Sequence, residues 1–318
     1  MPAPAYPGAP LPRTGDEIMV AGQLFHTGAP VVLWTDPGGY DAYRVEKRFG
    51  PIAESSWEAT VTSGRGPETP NRYGIRAAGL TPAQLEQVRG GGWDLALLRQ
   101  TVDQFVIHYD AAGVSRNCFR VLHDARGLSV HFMLDVDGTI YQTLDLKERA
   151  WHATISNDRS IGIEIANIGA YPDTAEGRAV LARWYETADG ITRLRIPPGS
   201  IRSSGAFHTP ARPQPVKGRI HGRELMMYDL TEAQYDSLIK LTAALCTIFP
   251  NIPCDYPRDA SGKVLTTALD PAALVTYRGI LGHYHIQENK IDPGPAFDWE
   301  RVVRGARALM SSSPGPAR

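Results

Sequence analysis

Two periods run through the apolar positions of this chain. Gln104–Tyr109 is a short apolar run that closes on His108, and it predicts a buried strand. In Ile161-Gly162-Ile163-Glu164-Ile165-Ala166 every second residue is isoleucine. A period of two places the isoleucines on one face and Gly162, Glu164 and Ala166 on the other. Residues 130–134 and 139–143 flank Asp137-Gly138, a strong hairpin signal. Ile18-Met19-Val20 and Val31-Val32-Leu33-Trp34 predict two further strands near the start. Helical spacing appears elsewhere. Thr81-Pro82-Ala83-Gln84 and Thr231-Glu232-Ala233-Gln234 are capping boxes. The second opens a helix in which Leu238, Leu241, Ala244, Leu245 and Ile248 recur at helical spacing until Pro250 ends it. Further helices are expected from Ser115 to just before Gly127, over about 174–194, and over about 296–309.

Strands and helices mixed in this order imply an α/β protein, a mixed central β-sheet flanked by helices. The Pro-rich stretch 1–14 and the tail 311–318 read as disordered arms. Residues 15–95 form an N-terminal extension whose strands either extend the sheet or make a separate lobe. The main domain spans 96–310. Asp36-Pro37-Gly38-Gly39 and Gly64-Arg65-Gly66-Pro67 mark a turn and a loop, and the Pro- and Gly-bearing stretch 196–228 reads as a long loop.

Composition narrows the function classes. A net charge of −1 over 318 residues argues against a nucleic-acid binder. No apolar stretch reaches the roughly 18 residues of a membrane helix. The three cysteines, Cys118, Cys246 and Cys254, make no disulfide framework, although a Cys246–Cys254 bridge is conceivable beside the reading as free thiols. No Cys-x-x-Cys pair exists for a thiolate zinc finger. The N-terminus carries no intact secretory signal. Its Pro-rich start leans toward export, periplasmic or secreted rather than cytoplasmic.

The chemistry lies in a few residues. Glu164, on a strand face with two small neighbours, stands over a space in which a ligand fits, and burying it without a partner is costly. A structural salt bridge is the other reading. His108 alone is weak. His283 and Asp292 share a loop bracketed by Gly282 and Pro293-Gly294. Two neutral imidazoles and one carboxylate form a zinc ligand set with an open fourth position, provided the three converge. His285 is a further candidate, because a fourth protein ligand closes such a site; a place behind the ligands or at the surface is the other reading and the favoured one. Lys290 lies near the acid and either pairs with it in solvent or brings a charge to a site.

Seven short motifs then fall in order: Phe105-Val106-Ile107-His108, Ser129-Val130-His131-Phe132, the run from Asp137 to Gln142, Arg149-Ala150-Trp151-His152-Ala153, the run from Asn157 to Glu164, Gly282-His283, and the run from Lys290 to Trp299. In this the chain resembles the zinc-dependent N-acetylmuramoyl-L-alanine amidases of the type-2 family, relatives of the peptidoglycan recognition proteins, over about residues 100–305. The resemblance implies that fold and one zinc per chain. It implies His108, His283 and Asp292 as metal ligands, Glu164 as the acid that activates water, and Lys290 as the cation that steadies the oxyanion. It also implies that Trp151, His152 and Asn157 contact a peptidoglycan or muropeptide substrate. The expected reaction is hydrolysis of the amide between N-acetylmuramic acid and L-alanine. A non-catalytic peptidoglycan-binding module on the same fold is the alternative. Oligomeric state is left open.

Overall fold

The computed structural model describes residues 6–56, 58–59, 73–203 and 208–312. Gly64-Arg65-Gly66-Pro67, residues 1–5 of the arm and residues 313–318 of the tail lie outside them. In chain order the elements begin with strands β1 (Glu17–Val20), β2 (Gln23–His26), β3 (Val31–Leu33) and β4 (Tyr73–Ile75), then helices α1 (Pro82–Arg89) and α2 (Leu95–Thr101). Next come β5 (Gln104–Tyr109) and α3 (Ser115–Phe119), which runs on as a π-helical segment Arg120–Arg126. Strands β6 (Phe132–Leu134), β7 (Ile140–Gln142), β8 (Glu148–Ala150) and β9 (Ser160–Ile165) follow, then α4 (Ala175–Trp184). Two hairpins come after it, β10 (Tyr185–Ala188) with β11 (Ile191–Leu194), and β12 (Val216–Ile220) with β13 (Arg223–Met227). The chain then forms α5 (Glu232–Ile248), α6 (Pro271–Thr276), β14 (Gly279–Gly282) and α7 (Trp299–Ser312).

The central sheet has six strands in the order β14-β5-β9-β6-β7-β3. The pairs β14–β5, β5–β9 and β9–β6 are parallel, β6–β7 is the expected antiparallel hairpin, and β3 adds to β7 in parallel. The N-terminal extension therefore belongs to this sheet through β3, and its β4 pairs antiparallel with β8 in a separate two-stranded sheet. Strand alternation divides the sheet into two faces. Phe105, Ile107, Ile161, Ile163, Ile165, Phe132 and Leu134 bury one face with Leu238, Leu241 and Leu245 of α5 and Val302 and Val303 of α7. Truncating one such core leucine costs roughly 2–5 kcal/mol, because the vacated volume does not fully collapse. Val106, Met133 and Tyr141 point the other way, as do His108 and Glu164, so the polar groups sit opposite the main core.

Both capping boxes form as the sequence predicts, at Thr81 and at Thr231. Three expectations are corrected. The helix expected over 174–194 stops at Trp184, and β10–β11 turn at Asp189-Gly190, both with positive φ (52° and 75°). That two-residue turn suits a hairpin, and the β-branched Thr187, Ile191 and Thr192 favour strand over helix. The loop expected over 196–228 contains β12–β13, which turn at His221-Gly222 by the same left-handed geometry (51° and 73°). The last helix starts at Trp299 rather than near 296 and reaches Ser312, inside the stretch read as a disordered tail. Strand β14, which delivers His283, has no periodicity of its own in sequence.

Candidate active site

Parallel register builds the site. His108 pairs with Glu164 across β5 and β9, and Gly282 pairs with Ile107 across β14 and β5. His283 follows directly after Gly282 and so emerges beside His108. The loop beyond it folds back, with Tyr284 N–H donating to the Asp292 carbonyl at 3.1 Å, and this returns Asp292 to the two histidines. Gly282 is needed for the approach, since a Cβ there would lie 2.6 Å from Pro293. All three side chains are buried, with His108 2%, His283 7% and Asp292 8% exposed.

Their polar atoms converge. His108 Nδ1 and His283 Nδ1 lie 3.0 Å apart, at 2.9 and 3.0 Å from Asp292 Oδ2. The outer nitrogens fix the protons. His283 Nε2 faces Gln287 Oε1 at 2.8 Å and donates to it, which leaves a lone pair on Nδ1. His108 Nε2 faces His152 Nδ1 at 3.1 Å, and His152 Nε2 in turn faces the Ser160 hydroxyl at 3.3 Å. With Nε2–H of each ring donating outward, both Nδ1 atoms present lone pairs to a carboxylate oxygen. Three acceptors at this spacing repel one another unless a cation lies among them, and two nitrogens with one oxygen suit zinc. Burial and the neighbouring His283 pull His108 down to about 4, so its imidazole is neutral at ordinary pH.

Glu164 flanks this trio. Its Oε2 has no hydrogen-bond partner among the described residues. Burial first, then the Asp292 and Asp110 carboxylates, push it well above the usual carboxylate range, while Lys290 and Arg126 act in the opposite sense. Lys290 is half-buried and lines the same cavity. The space beside Glu164 over Gly162 is not vacant: a Cβ at Gly162 would lie 2.6 Å from the His152 ring, which fills it.

A groove passes on both sides of the trio. One arm is lined by Tyr109, Val121, Leu122 and Arg126, the other by Arg149, Thr154, Ile155 and Asn289, and Trp151, His152, His283 and Lys290 border both. Trp151 is 40% exposed, with the Arg149 guanidinium 4.3 Å from its ring centroid. Asn157 also borders the second arm, but it is buried and its Oδ1 accepts from the His152 and Ala153 N–H groups at 3.1 and 2.6 Å. His285 turns away from the trio: Nδ1 accepts from Gly282 N–H at 2.8 Å and Nε2 donates to the Leu265 carbonyl at 2.7 Å. Both its nitrogens are taken, so it does not close the site. Gln287 and Ser160, which fix the two ring orientations, went unnoticed in the sequence. The only signal for Gln287 is its place one helical turn after His283.

Residues 98–295, more than half of the chain, match the N-acetylmuramoyl-L-alanine amidase (Amidase_2) family, and the chain belongs to it. It is similar to the 1,6-anhydro-N-acetylmuramyl-L-alanine amidase AmpD of Citrobacter freundii, with 26% identity over 77% of this chain and 83% of that protein. The AmpD of Escherichia coli K12 is 25% identical over 77% of this chain and 84% of its own length. Among solved structures, the Escherichia coli amidase AmiD in complex with anhydro-N-acetylmuramic acid-L-Ala-D-gamma-Glu-L-Lys superposes with a TM-score of 0.36 at 19% identity, covering 64% of this chain and 57% of AmiD. The trio, Glu164 and Lys290 all fall inside the matched span. Among the described residues no helix is long and apolar enough to cross a membrane.

Proposed function

We propose that this chain is a zinc-dependent amidase that hydrolyses the bond between the lactyl carbonyl of N-acetylmuramic acid and L-alanine in muropeptides. The observation that carries the reading is the convergence of the His108, His283 and Asp292 lone pairs beside Glu164, within the family-matched span. His108, His283 and Asp292 would hold one zinc ion. Zinc bound there supplies a Lewis acid that polarises the amide carbonyl and brings the pKa of water to about 7.

The chain's own groups do the rest. Glu164, which lines the cavity with an unpartnered oxygen and pairs in register with His108, takes the proton from the attacking water and returns it to the alanine nitrogen as the C–N bond breaks. The Lys290 ammonium steadies the negative charge that grows on the carbonyl oxygen. Trp151 offers an exposed indole, and with His152 it borders both arms, which suits a substrate extending as a sugar one way and a peptide the other.

The two AmpD relatives are named as 1,6-anhydro-N-acetylmuramyl-L-alanine amidases, which supports an anhydro-muropeptide as substrate. The test is product analysis after incubating wild type and Glu164→Ala with anhydro-muropeptide and with intact peptidoglycan. Release of free stem peptide by wild type alone supports the amidase. Products that retain the lactyl–alanine amide overturn it, and tight binding without turnover assigns the chain to a binding module.

A further inference from the structure

Arg76 lies outside the family-matched span, directly after β4 in the N-terminal extension, and its side chain is wholly buried, at 0% exposure. A buried guanidinium is costly unless its donors are met. Here Nε donates to the Leu146 carbonyl at 3.1 Å. Nη1 donates to the carbonyls of Asn157, Asp158 and Ser160 at 3.2, 3.1 and 2.9 Å. Nη2 stands 2.9 Å from His131 Nε2. The fork thus ties the turn before β8, at Leu146, to the turn that leads into β9 at Ser160. Two residues of that turn hold His152: the Asn157 side chain takes its backbone N–H, and the Ser160 hydroxyl faces its Nε2. His152 Nδ1 in turn faces His108 Nε2. Every link in this path is a hydrogen-bond-distance contact, and Arg76 is its one contribution from outside the family-matched span.

We propose that Arg76 is a positioning residue for the metal centre, acting through Asn157 and Ser160 to set His152 and, through it, the ring of His108. The proposal rests on the zinc-amidase reading for its functional consequence. A lysine ammonium has three donors at one point and cannot meet all four carbonyls that the fork holds. Losing an outer partner of a ligand histidine lowers metal affinity or activity by about 10- to 100-fold.

The experiment compares wild type, Arg76→Lys, Arg76→Gln, His152→Gln and the Arg76→Lys/His152→Gln double variant. Zinc affinity is measured by chelator competition, the His108 and His152 ring signals by imidazole NMR of the metal-free protein, and kcat and KM on muropeptide. The expected result is a fall of about 10- to 100-fold in zinc affinity and in kcat for Arg76→Lys, with KM held and both ring signals moved. The double variant should be no worse than His152→Gln alone, since two steps on one path are not additive. Unmoved ring signals in a folded Arg76 variant overturn the proposal. So do losses that multiply in the double variant, and so does failure of both single Arg76 variants to fold, which assigns Arg76 to stability alone. If ring signals and zinc affinity respond as expected while wild type has no amidase activity, the amidase reading fails and the positioning role stands.

Discussion

Glu164 lies directly across from His108 in the parallel register of β9 and β5. The pairing puts a carboxylate with an unpartnered oxygen beside His108, one of the three residues whose polar atoms converge. Glu164→Gln keeps the shape and removes the base. It should lower kcat by about 100- to 10,000-fold, the range for losing a positioned general base, with KM little changed. Zinc content by elemental analysis should equal that of wild type. Joint loss of zinc and activity would place Glu164 among the ligands instead.

The trio makes a separate prediction about metal. Purified protein should carry about one zinc per chain, the stoichiometry of a His2Asp site. His283→Ala and Asp292→Ala should each weaken zinc by more than the roughly 10- to 100-fold that follows loss of an outer partner. A chelator should abolish turnover, and added zinc should restore it in wild type but not in either variant. Full zinc occupancy in Asp292→Ala, measured after dialysis, would remove Asp292 from the ligand set.

How much of this was legible in the sequence depended on whether the partners were local. The isoleucine alternation around Glu164 fixed its face correctly, and both Thr capping boxes formed where the pattern placed them. Alternation says nothing about which strands adjoin. The neighbourhood of His283 and His108 comes from β14 pairing with β5 across the length of the domain, so the trio followed from the family resemblance and not from periodicity. Asp189-Gly190 was a readable turn overlooked in favour of helix. Arg76 was illegible for a different reason: its partners are mainly backbone carbonyls, which leave no side-chain pattern to find. His285 was ambiguous for the same reason, since only the backbone groups of Gly282 and Leu265 decide where its nitrogens point.

That geometry at His285 can be checked directly. Burial pulls it down to about 3, so it should remain a neutral imidazole with its proton on Nε2 well below pH 6. Nitrogen-15 imidazole spectra between pH 5 and 7 should show no titration of this ring, with or without zinc. His285→Gln should lower the Tm through lost hydrogen bonds, about 0.5–1.5 kcal/mol each, yet retain zinc. A ring signal that moves when zinc is added, together with zinc loss in the variant, would reinstate His285 as a ligand.

Asp135 gives the clearest dependence of stability on pH. It is fully buried at the end of the β6 region, with Oδ1 accepting from Val136 N–H at 2.9 Å and Oδ2 without a partner among the described residues. Burial pushes its carboxyl up to about 8, against an ordinary 3.8, with Asp137 and Asp110 adding in the same sense and the backbone donors opposing. The folded chain therefore holds a proton that the unfolded chain has released. This contribution is complete below the unfolded pKa and is lost as pH rises toward 8, at up to about 1.4 kcal/mol per pH unit. Asparagine keeps the shape and the Oδ1 acceptor and cannot ionise. Asp135→Asn should thus resemble wild type only below the unfolded pKa of 3.8, already lead it at pH 5 and gain on it steadily as pH rises, with the gap levelling above about 8. Denaturant unfolding at pH 5, 6, 7 and 8 measures that gap for the pair. A gap that stays constant across the series would mean that Asp135 is ionised throughout and that its burial is compensated by groups other than a proton.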